Sequence, residues 1–222
     1  MVAPVMTNGT TIDTGLGLHA TSPEALPFAP SLHIRSFLLP RAAGNILVYS
    51  TKGLGADAPQ ILELGGIERH YLNHWHEAMF ASDWVDAPLF VHEADGAKTA
   101  ESYDVRGTFD RRHTFEGDLE VVPIPGHTPG ATAYLWDSGA RRFLFTGDSL
   151  YLSDGEWVAA VLDSSDRASY IESLELIREL DFDVLVPWAA SAGYPFYAHT
   201  DRDDARERVG TVVRRLRAGE RS

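Results

Sequence analysis

The sequence contains no cysteine. Disulfides, thiolate-bound zinc, iron–sulfur clusters and thiol nucleophiles are therefore excluded, which fits a reducing compartment. Basic charge is also scarce. Only 19 Lys and Arg stand against 32 Asp and Glu, for a formal net charge of −13. That balance argues against nucleic acid and anionic membrane as partners. No apolar run approaches the roughly 18 residues of a membrane span. Met1 to Asp13 lacks the basic start and apolar stretch of a secretory leader. The expectation is a cytoplasmic protein with a small-molecule substrate and no nucleic-acid or membrane partner. Nothing in the sequence fixes its oligomeric state.

What is present is an ordinary globular composition, 44% hydrophobic and 23% charged over 222 residues. One domain over residues 1–222 is the simplest division, with a Thr-, Gly- and Pro-rich, irregular lead-in over 1–30. Leu32 to Leu39 and Ile46 to Tyr49 read as a strand pair, and Ala58 to Leu64 as a short helix. Tyr71 to Asn73 reads as a strand, Phe80 to Trp84 as a short helix and Pro88 to His92 as a strand. Leu119 to Ile124, Ala131 to Trp136 and Arg142 to Phe145 follow as further strands, the last two a hairpin about Asp137-Ser138-Gly139. Asp166 opens a helix in which Tyr170, Ile171, Leu174, Ile177 and Leu180 form one apolar stripe. Val184 to Val186 is a short apolar strand closed by Pro187. A final helix over Asp203 to Arg217 has acids at its start and arginines at its end, matching the helix dipole.

Three loops that follow strands end in metal-competent groups. They hold His74 and His76, His127 within Gly126-His127-Thr128-Pro129-Gly130, and Asp148 within Thr146-Gly147-Asp148-Ser149-Leu150. Strand-end loops are where a rigid scaffold brings distant residues together. Imidazole suits zinc, iron, nickel or copper, and a carboxylate adds charge and an oxygen ligand. Gly126 and Gly147 allow tight turns that a Cβ would obstruct.

In order and spacing, His74-x-His76, Gly126-His127-Thr128-Pro129-Gly130 and Phe145-Thr146-Gly147-Asp148-Ser149-Leu150 resemble the metallo-β-lactamase superfamily. The likeness runs from the opening hairpin at Leu32 to the strand ending at Pro187. It implies an α/β protein built as a four-layer αββα sandwich, with its site along one edge of the sheets. It further implies that His74, His76 and His127 hold a first metal and that Asp148 bridges toward a second. Two departures bear on that implication. The family's first motif runs His-x-His-x-Asp-His, and its Asp-His pair falls on Ala78 and Met79. The histidine of its last motif falls on Ala189, within Val186-Pro187-Trp188-Ala189-Ala190. All three losses lie on the side of the second metal. The expectation is therefore one divalent metal, zinc first and iron second.

Three imidazoles leave zinc an open fourth position, whereas direct ligation by Asp148 would fill it. Asp148 and Glu77 are the candidate catalytic carboxylates. Glu77 reads either as a base or partner behind a ligand, or as a solvated residue at the start of the Phe80–Trp84 helix. His199 reads as a surface residue or as a ligand swinging in from its loop, and His92 and His113 as structural. Met79 and Trp188 would make the former second-metal cavity apolar, as core or as the wall of a pocket. Residues 99–116 and 151–165 are expected to shape that pocket. The leading functional expectation is a mononuclear hydrolase of a small ester, lactone or thioester-like substrate. A binding or regulatory protein with a structural metal or none is the alternative. A mononuclear iron dioxygenase is a third, weakened because that branch of the family keeps the Asp-His pair.

Overall fold

The computed structural model describes residues 15–220 and the backbone of Ile12 and Asp13. Its helices are α1 (Leu54–Glu63), α2 (Glu93–Thr99), α3 (Arg167–Glu179) and α4 (Arg202–Arg217). Sheets of seven, six and five strands lie between them.

Side chains alternate across each sheet with the period of two that a strand imposes. Phe37, Leu39, Ile46 and Val48 of the seven-stranded sheet face Tyr134, Phe143, Phe145, Val184 and Val186 of the six-stranded sheet, forming the central core. Their neighbours Leu38 and Leu47 face the other way, onto Leu54 and Ile61 of α1. On the far side, Val122, Ala133, Leu144 and Leu185 pack against Tyr170, Leu174 and Ile177 of α3 and Val209 and Val213 of α4. Helix, sheet, sheet and helix succeed one another, which is the four-layer αββα sandwich that the motifs implied.

Both long helices are capped by aspartates. Asp166 accepts from the N–H groups of Ala168 and Ser169, and Asp201 from those of Asp203 and Asp204. These bonds satisfy donors that a helix start otherwise leaves unpaired.

Several expected boundaries moved. The single strand over Leu32 to Leu39 is two strands in different sheets, Ala29–Ile34 and Phe37–Leu39. Arg35 and Ser36 make the crossing, Arg35 donating its N–H to Trp188 and Ser36 pairing with Thr21. Ile34 and Phe37 are both fully buried, so the apolar pattern carries no mark of the break. The lead-in is less irregular than expected, because short strands at Ile12–Asp13, His19–Ala20 and Glu24–Leu26 pair into the sheets. Residues 1–11 and 14 lie outside the described residues. The first helix begins earlier, at Leu54, and carries Pro59 inside it. The short helix expected over Phe80 to Trp84 is instead a 3-10 turn over Trp75–Phe80. It starts early because the Glu77 carboxylate bonds back to the His74 N–H, and it stops where Ala81 turns extended, with ψ of 139°.

Tyr49 ties the two central sheets together beside the Gly147 turn. It leaves its strand with a φ of 70°, donates its phenol to the Val186 carbonyl at 2.7 Å and accepts the Gly147 N–H at 2.9 Å. Tyr49→Phe keeps the ring but leaves a buried donor and a buried acceptor unpaired. A loss of about 1–3 kcal/mol in urea unfolding is expected. An unshifted midpoint would show that the phenol holds nothing.

Candidate metal centre

His74 and His76 enter the site from the end of the strand Arg69–Tyr71, through Asn73 and into the 3-10 turn. His74 Nδ1 lies 3.1 Å from Glu77 Oε1 and 3.0 Å from Asn73 Oδ1. Both partners are acceptors, so Nδ1 carries the proton and Nε2 is left facing the cluster. Asn73 is itself fixed, donating its Nδ2 to the Thr132 carbonyl. Glu77 also receives the N–H of Asn73 at 3.0 Å and that of His74 at 3.3 Å. It is fully buried. The solvated reading of Glu77 is therefore wrong: its charge serves the backbone and imidazole of the ligand loop rather than water.

His127 arrives from the second loop. Gly126 has a φ of 146°, and a Cβ there would lie 2.4 Å from Tyr170 Cα, so only glycine lets the loop pass over α3. The His127 Nδ1–H donates to the Ala160 carbonyl at 2.7 Å, which turns Nε2 inward. Asp148 follows Gly147, where φ is 56° and a Cβ would meet Asn73 Oδ1 at 2.1 Å. The Asp148 carbonyl is held by the Ala160 N–H and by the Tyr170 phenol. Asp95 of α2 clamps the two histidine loops to each other. Its carboxylate accepts from the Trp75 N–H at 3.1 Å, the Thr128 hydroxyl at 2.6 Å and the Gly130 N–H at 2.9 Å. Asp95, Asn73 and the Tyr170 phenol were not singled out from the sequence, and none carries a local signal there.

The ring nitrogens of His74, His76 and His127 lie within 4.8 Å of one another. His76 Nδ1 is 3.0 Å from His127 Nε2. Asp148 Oδ2 lies 3.6 Å from His74 Nε2 and 3.7 Å from His127 Nε2. Neighbouring ligands of tetrahedral zinc stand about 3.4 Å apart, given Zn–N bonds of about 2.05 Å. The four groups are thus spaced as the shell of one small cation. His74 Nε2 is buried and has no hydrogen-bond partner, an orphan that a cation would satisfy. The residues fit the metal that the motifs implied.

Charge is arranged to match. Burial, helped by the charges of its histidine neighbours, lowers His76 to about 3, and burial with the His74 charge lowers His127 to about 4. Burial would also lower His74, but its contacts with Asp148 and Glu77 outweigh that effect and raise it to about 10. Burial raises Glu77 to about 7 against the pull of His74. Burial alone would raise Asp148, yet its contact with His74 and the nearby imidazoles keep it below the usual carboxylate range. In the metal-free chain a proton on His74 thus supplies the positive charge between two carboxylates.

A cavity of about 260 Å³ adjoins the cluster, and His76, His127 and Asp148 line it. Trp188 and Phe80 form apolar wall. Trp188 packs its ring on His74 with centroids 5.6 Å apart and donates Nε1–H to the Ser50 carbonyl. Met79 lines the cavity and is 49% exposed, so it is pocket wall rather than core. Ala78 is buried with Leu72, Leu89 and Val91, and Ala189, at the margin of the central core, also lines the cavity. Of the two segments expected to shape the pocket, 151–165 contributes Tyr151, Ala160 and Leu162, whereas 99–116 contributes nothing to the lining. Leu26, Phe28 and Leu32, on and beside the hairpin at the end of the lead-in, line it instead. His199 is exposed on a short strand, His92 caps α2, and His113 bonds the Arg111 carbonyl; none lines the cavity.

A sequence model of the metallo-beta-lactamase superfamily matches residues 56–189. The uncharacterized protein YmaE of Bacillus subtilis (strain 168) is 29% identical over 107 residues, which cover 45% of this chain and 39% of YmaE. Among solved structures, the metallo-beta-lactamase family protein TTHA1429 from Thermus thermophilus superposes with a TM-score of 0.61 at 19% identity, covering 91% of this chain and 80% of that one. A metallo beta lactamase from Hirschia baltica gives 0.67 at 12% identity, covering 93% and 98%. At these identities the structural likeness speaks to the fold.

Two outcomes are expected. Zinc binding displaces the His74 proton, so below pH 10 affinity rises with pH, and about one proton leaves per ion at pH 8–9. Calorimetry in buffers of different ionisation enthalpy measures this; release near zero would show that His74 is not protonated beforehand. Glu77→Gln keeps an acceptor for the His74 Nδ1–H but removes its charge. It should weaken zinc binding by about 10–100-fold in chelator competition. Unchanged affinity would remove Glu77 from the site's support.

Proposed function

The chain belongs to the metallo-β-lactamase superfamily, and from that premise we propose that it is a mononuclear, zinc-dependent hydrolase of a small ester, lactone or thioester-like substrate. One observation carries the reading: three imidazoles with inward-facing nitrogens meet at the wall of an apolar cavity, beside a carboxylate. Members of the family bind divalent metals, typically zinc. The residues standing where a second ion would need ligands support a single one, because Ala78 is packed in core and Met79 and Ala189 offer the cavity only a thioether and a methyl group.

His74, His76 and His127 would hold the ion, with Asp148 beside them. When bound, it supplies Lewis acidity and a nucleophile at neutral pH. The chain's own residues do the rest. Glu77 and Asn73 keep the His74 proton on Nδ1, and the Ala160 carbonyl does the same for His127, so both present a lone pair. The Asp148 carboxylate is 19% exposed, ionised and open to the cavity, where it can accept a proton from water. Trp188 and Phe80, both buried, give the reacting bond an apolar wall. In the overall reaction one water splits the acyl–oxygen or acyl–sulfur bond, giving an acid and an alcohol or thiol.

The competing reading is a binding protein that keeps the ion without turnover. It draws on the same buried Ala78, since the aspartate that would stand there could also position water. Metal analysis combined with turnover separates the two. Protein prepared with zinc should carry about one equivalent and hydrolyse 4-nitrophenyl acetate above the buffer rate. His127→Ala should lose both metal and turnover. Zinc without turnover across ester, lactone and thioester panels favours the binding protein. No bound metal defeats the hydrolase.

A further inference from the structure

We infer that the substrate is electrically neutral where it meets this pocket and fills it with a short apolar acyl or alkyl group. This deepens the hydrolase reading and rests on it. The cavity, at about 260 Å³, lies just below the roughly 300–1,000 Å³ of sites for drug-sized ligands, so its occupant is small.

Asp148 is the one acidic residue in the lining, and among the described residues no Lys or Arg lines it. Away from the ion, which the reacting group itself would occupy, an anionic group on the substrate's chain would lose its hydration with no side-chain cation to pair with. Lys52 stands 5.5 Å from the ring centroid of Phe80, a lining residue, yet lies outside the lining itself.

The apolar lining is unusually open. Phe28, Met79 and Leu162 are 73%, 49% and 42% exposed, and all three face this one cavity. They come from separate segments: the turn between strands Glu24–Leu26 and Ala29–Ile34, the 3-10 turn, and the loop after the strand Glu156–Val158. Three unrelated stretches therefore leave large apolar side chains in water around one mouth. Covering them with an apolar group recovers that exposure, and a charged group would not.

The test uses the zinc-loaded protein with 4-nitrophenyl esters from acetate to hexanoate, and 4-nitrophenyl hemiglutarate as the anionic counterpart of the valerate. The expected kcat/KM rises by about fourfold per added methylene until the cavity is full. The hemiglutarate should fall about tenfold or more below the valerate. Met79→Lys should shift that ratio toward the hemiglutarate by about fivefold, because it places a cation at the mouth. A flat chain-length series overturns the proposal. So does a preference for the hemiglutarate, above all one that Lys52→Met abolishes. Binding of hexanamide and of adipic acid monoamide, followed by saturation-transfer NMR, reads the pocket without turnover. Discrimination between these amides with no ester hydrolysed would sustain the pocket and defeat the hydrolase. Ester turnover with no discrimination would do the reverse.

Discussion

The histidine loop is organised around a buried positive charge. His74 lies between two carboxylates, Glu77 behind it and Asp148 in front, and all three are removed from bulk water to different degrees. Two negative charges brought this close in a low-dielectric interior repel strongly unless a cation sits between them. A proton on His74 is one solution, and a divalent ion in front of Nε2 is another. Either way of placing a positive charge there balances the same two carboxylates.

The surrounding structure keeps that geometry by spending few residues on several contacts each. Asp95 bonds the start of the 3-10 turn and both ends of the His127 loop's tight segment. Tyr170 is core on its ring, yet its phenol fixes the backbone that presents Asp148, and its Cα sets how closely Gly126 must pass. Ala160 receives the His127 proton through its carbonyl and holds Asp148 through its N–H. Ligands from three distant stretches of sequence are therefore coupled by buried polar groups, whose loss costs more than a surface bond would.

Much of this was legible in advance. The two long helices and the central hairpins announce themselves through apolar period, aspartate caps and turn residues, because each signal is local. The four metal-competent residues were visible through motif order, and the structure gathers them at one place. What escaped the sequence was decided by partners far along the chain. The crossing at Arg35 and Ser36 looks like continuous strand because both sides of it are equally buried. Glu77 left two readings open, a partner behind a ligand or a solvated acid at a helix start, and only the fold decides between them, by replacing its water with His74 and two backbone donors. Phe28 gave no hint at all, since an exposed aromatic in a short hairpin acquires meaning only when a cavity lies beneath it.

Asp95 has a thermodynamic consequence as well. A side chain that joins the turn carrying His76 to the loop carrying His127 makes the separation of those ligands a property of the folded state alone. An unfolded chain, with the two histidines 51 residues apart in sequence, cannot reproduce it. Any ion that selects that spacing binds the native form preferentially and draws the folding equilibrium toward it, by about 2.7 kcal/mol at a free concentration of 100 times its Kd. Metal in the surroundings would then widen the margin by which the folded state is favoured, as well as load the site.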